Sequence, residues 1–571
     1  MGHRLTAEEV SLLATDTQHT PGHIGTVDVL DAGPDFDSDD LVRLIAQRLD
    51  FVPRYRMRVL QVPGGLAAPL WVEDADFDLS YHVRRSALPR PGTMQQLQEF
   101  VGRVMARRLD RQRPLWEVYL VEGLQQDRIA IVTKSHQCLV DGVDAVDLTQ
   151  VLFDETPDVD PTEPSGWEPV PEPRPVDLLV NSVMETLSDP EAVVETARRG
   201  VTGLLGTAVA IGETVGGFGG ALGELAGNAL RGRPPADSPL AAMVSEQRRF
   251  ETVSLPLAEL KALRVSDRYT VNDVVMAVLT SGLRSWLQGR GDPLTRGELL
   301  ALVPMSVQDD DGEPTSLGSK VAPHLMSLPI GEGNALMRLH QVSFGTRAHT
   351  DTGRAVGARV ITDIAGFAPT TLHVLGVRAG QAVVRKPHDL LVTNVPGPQL
   401  TLYAAGAPMV ASYPVIPLSA GHLLAIGVTS YNGEVFIGLN ADRDELADLD
   451  VLAQCLREAL AELTETAAQA ASARQPTRAA GTTAGSGTGT RPTRKAGVRK
   501  GTAKKAATTT SATKKAAATK PPAKKAAAKK TAVKKVAAQQ AASKKAASKK
   551  AASKQAVSKN RNTPEDKGTD Q

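Results

Sequence analysis

Cysteine is almost missing: the 571 residues include two, Cys138 and Cys455. Two cysteines cannot build a disulfide framework or a four-ligand zinc site, so a disulfide-stapled secreted scaffold and a structural zinc module are both excluded. Aromatic residues are scarce, at 4% of the chain. Long apolar runs are absent too. No uncharged apolar stretch reaches the ~18–20 residues that a bilayer-spanning helix needs. The longest candidate, Val201 to Gly212, is Gly/Ala-rich and falls well short. The first residues, Met-Gly-His-Arg-Leu-Thr-Ala-Glu-Glu, hold no apolar signal-peptide core. A cytoplasmic protein in a reducing compartment is expected, with a seat on a membrane surface left open.

What is present is a large hidden charge asymmetry. The whole chain carries 65 Lys+Arg against 64 Asp+Glu. Residues 475–571 hold 25 of those bases and 3 of the acids, a net of +22, which leaves 40 and 61 in 1–474, a net of −21. An acidic globule therefore bears a basic tail. The tail is Ala, Lys, Thr and Ser without a core-forming pattern, so it is expected to be disordered when free. Its Lys-Lys pairs begin at 524, 529 and 534, and again at 544 and 549. A five-residue step winds ~140° around a helix of 3.6 residues per turn, which spreads the charge on all sides rather than along one stripe. DNA, an anionic membrane surface and the acidic globule all remain open as its partner. No aromatics interleave with the lysines, so base stacking is not expected.

The globule alternates strand and helix signals. Thr6-Ala-Glu-Glu9 is a capping-box pattern, His23–Leu30 reads as a strand and Asp39–Leu49 as a helix. Arg54–Val62 reads as extended. Thr93–Leu109 carries Leu97, Phe100, Val101, Val104 and Met105 at helical spacing, and Leu115–Val121 reads as a strand. Residues 1–155 form a first α/β half. Residues 156–247 are a Pro-rich linker and a glycine-rich crossover, whose Gly216-Gly-Phe-Gly-Gly220 does not spell a dinucleotide fingerprint. Residues 248–474 form a second α/β half, with a helix at Val271–Leu287 and strands at Phe250–Leu255, Leu299–Val303, Val321–Leu328 and Asp389–Val395. Tyr431-Asn-Gly433 marks a type I′ hairpin, and a helix over Leu449–Ala468 closes the half.

The stretch with the most chemical content runs from Ile129 to Gly142. A β-branched run, Ile129–Thr133, reads as a buried strand that delivers His136 toward Asp141-Gly142. An imidazole at the end of a rigid element, with a carboxylate five residues on, suits a general base and its orienting partner. The bland alternative is a structural histidine. Cys138 reads as a core residue, Trp116 likewise, and Asn272-Asp273 as the organiser of a helix start. No Gly-x-Ser-x-Gly elbow occurs in the globule, which argues against an α/β-hydrolase.

Several segments together resemble the bacterial wax ester synthase/diacylglycerol acyltransferase family. They are Asp76-Phe-Asp-Leu-Ser-Tyr-His82, Arg113-Pro-Leu-Trp-Glu117, Lys134-Ser-His136 through Asp141-Gly142, Val271-Asn-Asp273, Pro304-Met-Ser306, Asn394-Val-Pro-Gly-Pro398, Gly406-Ala-Pro408, and Ser430-Tyr-Asn-Gly433 before Ala441-Asp-Arg443. The resemblance implies an α/β (α+β) fold of two halves like chloramphenicol acetyltransferase and condensation domains, meeting at a central tunnel. It implies transfer of an acyl group from acyl-CoA to diacylglycerol, giving triacylglycerol, or to a long-chain alcohol, giving a wax ester. No cofactor beyond acyl-CoA as co-substrate and no metal are implied. The inner membrane face or a lipid droplet becomes the expected seat.

The family motif is His-His-x-x-x-Asp-Gly, whose second histidine is usually assigned as the base. Here His136 takes the first position, Asp141 and Gly142 the last two, and Gln137 stands where the base is expected. The resemblance thus marks His136, Asp141 and Gly142 as site residues. Glutamine cannot take the proton, although its amide can hydrogen-bond a hydroxyl. Three outcomes stay open: His136 substitutes as base, the activity is weak, or the fold only binds lipid as a scaffold. A carrier-bound thioester donor is a further alternative to acyl-CoA.

Overall fold

The computed structural model describes residues 3–62, 68–140, 147–158, 166–174, 234–235, 237–264, 268–307, 320–350 and 387–474. The crossover over 176–231, with its glycine cluster, and the tail over 475–571 lie outside them.

Two six-stranded mixed sheets organise the described residues. In the first, strand order runs Tyr403–Ala404, Ala407–Val415, His23–Asp31, Arg128–His136, Trp116–Leu124, Val83–Ala87. In the second it runs Lys320–Leu328, Leu299–Val307, Leu390–Pro396, Leu424–Tyr431, Glu434–Asp442, Arg248–Pro256. The α/β fold of two related halves expected from the sequence is present. The central strands are buried over nearly their whole length because both faces are covered. Ile129, Ala130, Ile131 and Val132 are all buried, each large one contributing about 1.5–3 kcal/mol on burial.

The capping box read at Thr6 is present, and the structure adds one at Thr93. Thr6 and Glu9 close a capping box on the helix Ala7–Thr15, and Thr93 with Gln96 closes another on Met94–Ala106. Asn432 and Gly433 both take positive φ, 45° and 87°, in the hairpin between Leu424–Tyr431 and Glu434–Asp442, as a type I′ turn requires. Arg54 to Val62 differs from the extended reading: Pro53–Arg56 forms a 3₁₀ turn before the strand Met57–Leu60. Proline at the first position of that turn presets φ for it.

The halves are laced together by the strand Ala407–Val415. It is hydrogen-bonded to His23–Asp31 in the first sheet, with Ser412 opposite Asp28 and Tyr413 opposite Val27. Its carboxyl end also rests on the second sheet, where a Cβ on Gly438 would lie 2.0 Å from the Pro414 carbonyl oxygen. A Cβ on Gly427 would lie 2.8 Å from Pro414 Cγ. Only glycine admits so close an approach. A second joint is the helix Met94–Ala106 on the strand Arg248–Pro256, where Gly102 faces the Arg248 carbonyl and Gln98 meets Thr252 at 2.7 Å.

Three histidines, His23, His82 and His422, are buried and held neutral. Burial lowers all three, with Lys134 also acting on His23 and His388 on His422, which falls to about 4. An unfolded chain binds protons at these rings below about pH 6.5, whereas the folded chain does not. Stability is therefore expected to fall as pH drops from about 6.5 toward 4, by up to about 1.4 kcal/mol per pH unit for each histidine. Urea midpoints at pH 7 and pH 5 check this. A His422→Asn variant is expected to show a shallower loss, and an equal loss would contradict the assignment.

Candidate active site

The strand Arg128–His136 ends where the helix Ala7–Thr15, the helix Met94–Ala106 and the strand His23–Asp31 converge. His136 is opposite His23 in the sheet register, with ring centroids 6.1 Å apart. Its backbone N–H donates to the Leu115 carbonyl at 2.9 Å, and that of Gln137 donates to the Gly22 carbonyl at 2.9 Å. Both side chains are buried. Gly22 leaves the room they occupy: a Cβ there would stand 3.2 Å from His136 Nε2 and 3.8 Å from Gln137 Oε1.

The protonation of His136 can be read from its partners. The backbone N–H of Cys138 donates to Nδ1 at 3.1 Å. A nitrogen that accepts a hydrogen bond carries the lone pair, so in the neutral ring the proton sits on Nε2. Nε2 lies 3.7 Å from Asp16 Oδ2 and has no hydrogen-bond partner among the described residues. The ring is thus wired as an acceptor at Nδ1 and presents a donor on the side of a carboxylate.

Asp16 was not singled out by sequence reasoning. It caps the end of Ala7–Thr15, accepts from the Gly22 N–H at 3.1 Å, and pairs with Arg108 at 3.2 Å and Arg111 at 3.0 Å. Burial pushes its carboxyl up, but the His136 ring that faces it and the Arg108 guanidinium hold it far below the usual carboxylate range. It remains an anion at any working pH. The only sequence hint was its place between a capped helix and Pro21-Gly22.

Lys134, one step earlier on the same sheet face, is fully buried. Its Nζ donates to the Val104 carbonyl at 3.0 Å and the Arg107 carbonyl at 2.6 Å, and lies 3.5 Å from Glu117. It closes the carboxyl end of the helix Met94–Ala106, where a cation meets the dipole favourably. Burial pushes it down to about 8 against the pull of Glu117. Cys138 is pushed well above its ordinary value by burial, which fits an inert core thiol.

Other motif residues fall into structural roles. Trp116 is buried, stacks on His82 at 4.6 Å and donates to the Tyr55 carbonyl at 2.7 Å. Asp273 closes a capping box with Thr270 and also receives Ser343 Oγ at 3.1 Å. Asn394 donates to Asn272 at 2.7 Å, which brings two distant motifs of the second half into contact. Asp141 and Gly142 lie outside the described residues.

These features define the class: a two-sheet α/β fold with a buried histidine segment at the end of a central strand. The family model for the wax ester synthase/diacylglycerol acyltransferase catalytic domain matches residues 5–275, and that for the family's C-terminal domain matches 317–464. A probable diacylglycerol O-acyltransferase of Mycobacterium tuberculosis is 32% identical over 467 residues, covering 81% of this chain and 96% of that protein. A second from the same organism is 39% identical over 264 residues, 46% of this chain and 95% of the relative. The solved wax ester synthase/diacylglycerol acyltransferase of Marinobacter aquaeolei VT8 covers 82% of this chain and 100% of its own, at 26% identity and a TM-score of 0.56. The chain belongs to the wax ester synthase/diacylglycerol acyltransferase family. It is an enzyme of the acyltransferase class.

Proposed function

We propose that the chain transfers the acyl group of acyl-CoA to the free hydroxyl of diacylglycerol, with long-chain alcohols as secondary acceptors. The observation that carries this reading is the match to relatives named for diacylglycerol acylation along nearly their whole length. The acceptor oxygen attacks the thioester carbonyl, a new ester C–O bond forms, the C–S bond breaks, and CoA leaves as thiol with the proton. No cofactor takes part. Gln137 stands at the position of the proton acceptor and can only orient the hydroxyl through its amide. His136 is a positioning residue: its Nδ1 holds the Cys138 N–H and its Nε2 faces Asp16, which keeps the Gln137 segment in place. Rate enhancement then rests on binding and orientation. The test is purified full-length protein with labelled acyl-CoA and either diacylglycerol or hexadecanol. Labelled triacylglycerol above a heat-killed control is expected; none with either acceptor would refute the reading.

The lysine-rich residues 475–571 supply phosphate contacts to an anionic lipid surface, where the acceptor itself resides. Retention on anionic vesicles is expected at low salt, weakening steeply as salt rises, and lost on deleting 475–571. Unchanged retention after deletion, or retention on DNA alone, would overturn this.

A further inference from the structure

A small cavity lies at the joint between the halves, away from the His136 ring. Its walls include Thr26, Asp28 and Ser412 from the first sheet and Gly397, Thr429 and Tyr431 from the second half. Its volume of about 30 Å³ admits one oxygen-sized group, since roughly 10–15 Å³ suffices for a water.

The polar groups around it are ordered in one direction. Thr26 Oγ1 donates to Asp28 at 2.6 Å and Ser412 Oγ donates to the other Asp28 oxygen at 2.6 Å. With the Thr26 proton committed, the 3.0 Å contact between Thr26 and Thr133 is donated by Thr133. That chain starts on the strand that carries His136 and ends at a buried carboxylate. Tyr431 fixes the opposite wall, accepting from the Leu402 N–H at 2.9 Å and donating to the Met409 carbonyl at 2.9 Å. Thr429 is the exception. The residue is 1% exposed and its buried hydroxyl has no hydrogen-bond partner among the described residues, a costly state for a hydroxyl. A Cβ on Gly397 would come within 3.2 Å of it, so glycine keeps this space open.

We propose that this cavity is a subsite for a non-reacting oxygen of the acyl acceptor, with Thr429 as its hydrogen-bond partner, so that it favours diacylglycerol over a simple long-chain alcohol. The proposal rests on the acyltransferase reading. A diacylglycerol carries ester oxygens beside its reacting hydroxyl; hexadecanol carries none. Thr429→Val keeps the shape and removes the hydroxyl, and Thr429→Ser keeps the hydroxyl. Calorimetric binding of dioctanoylglycerol to the full chain, which needs no turnover, is expected to weaken about tenfold in Thr429→Val and to recover in Thr429→Ser. The KM for diacylglycerol is expected to rise in step, with those for hexadecanol and acyl-CoA unchanged. Equal binding by wild type and Thr429→Val, as for a cavity holding only a water, overturns the proposal. So do equal effects on both acceptors, or no binding by the wild type. Wild type that binds dioctanoylglycerol more tightly than Thr429→Val yet forms no ester would sink the activity reading and leave the subsite standing.

Discussion

Gln137→His is expected to raise kcat for acyl transfer about 10²-fold or more, because general-base catalysis by a placed side chain contributes roughly 10²–10⁴. Gln137 follows the strand end directly, is buried, and is fixed by its backbone bond to Gly22. An imidazole there would have a lone pair free for the acceptor proton. That of His136 is committed to the Cys138 N–H, with Asp16 on its other side. The gain should fall on kcat and leave KM for acyl-CoA within about twofold, as for an interaction made in the transition state. An unchanged kcat would place proton acceptance on another group, and His136→Gln would then be the variant that abolishes turnover. Under the present assignment His136→Gln acts through the Gln137 segment, so it should raise KM as well as lower kcat.

Gly438→Ala is expected to destabilise the protein by about 3 kcal/mol, the upper end of ordinary overpacking costs. The added Cβ would stand 2.0 Å from the Pro414 carbonyl oxygen, and a backbone atom cannot swing away as a side-chain end can. Either the strand Ala407–Val415 lifts from the second sheet or Glu434–Asp442 moves. Both loosen the joint that also carries Thr26, Ser412 and Thr429. Gly289→Ala, where no atom lies within 4 Å of the added Cβ, is the control and is expected to be neutral or slightly stabilising, since it sits at a helix end. Chemical denaturation separates the two. An equal stability for Gly438→Ala and wild type would contradict the close packing of the joint.

The sequence made the site's first half legible and hid the second. The β-branched run to His136 announces a strand because its side chains must be covered on both faces, and the capping box at Thr6 announces a helix start through its reciprocal hydrogen bonds. Asp16 and His23 were not visible as partners of His136, because only the pairing of two strands distant in sequence brings them together. The strand Ala407–Val415 was not read from the sequence: it carries Pro408 and Pro414, which disfavour a central strand, yet its pairing tolerates both. The helix Ala335–Thr350 lacks an apolar stripe for a physical reason. Its buried face includes Arg338, held by Ser281 and Glu462, and Ser343, held by Asp273, so polar residues fill positions where a stripe would be sought. Of the motif residues, Trp116, Cys138 and Asp273 sit where their residue types suggested: two in the core, one at a helix start.

The most direct measurement is the stoichiometry of a single reaction: labelled acyl-CoA and diacylglycerol with the full-length wild-type protein, following free CoA and labelled triacylglycerol together. Equal amounts of both products, formed in proportion to enzyme and absent with heat-killed protein, are the expected result. CoA released without ester, or neither product, would contradict an acyltransferase that uses diacylglycerol as its acceptor.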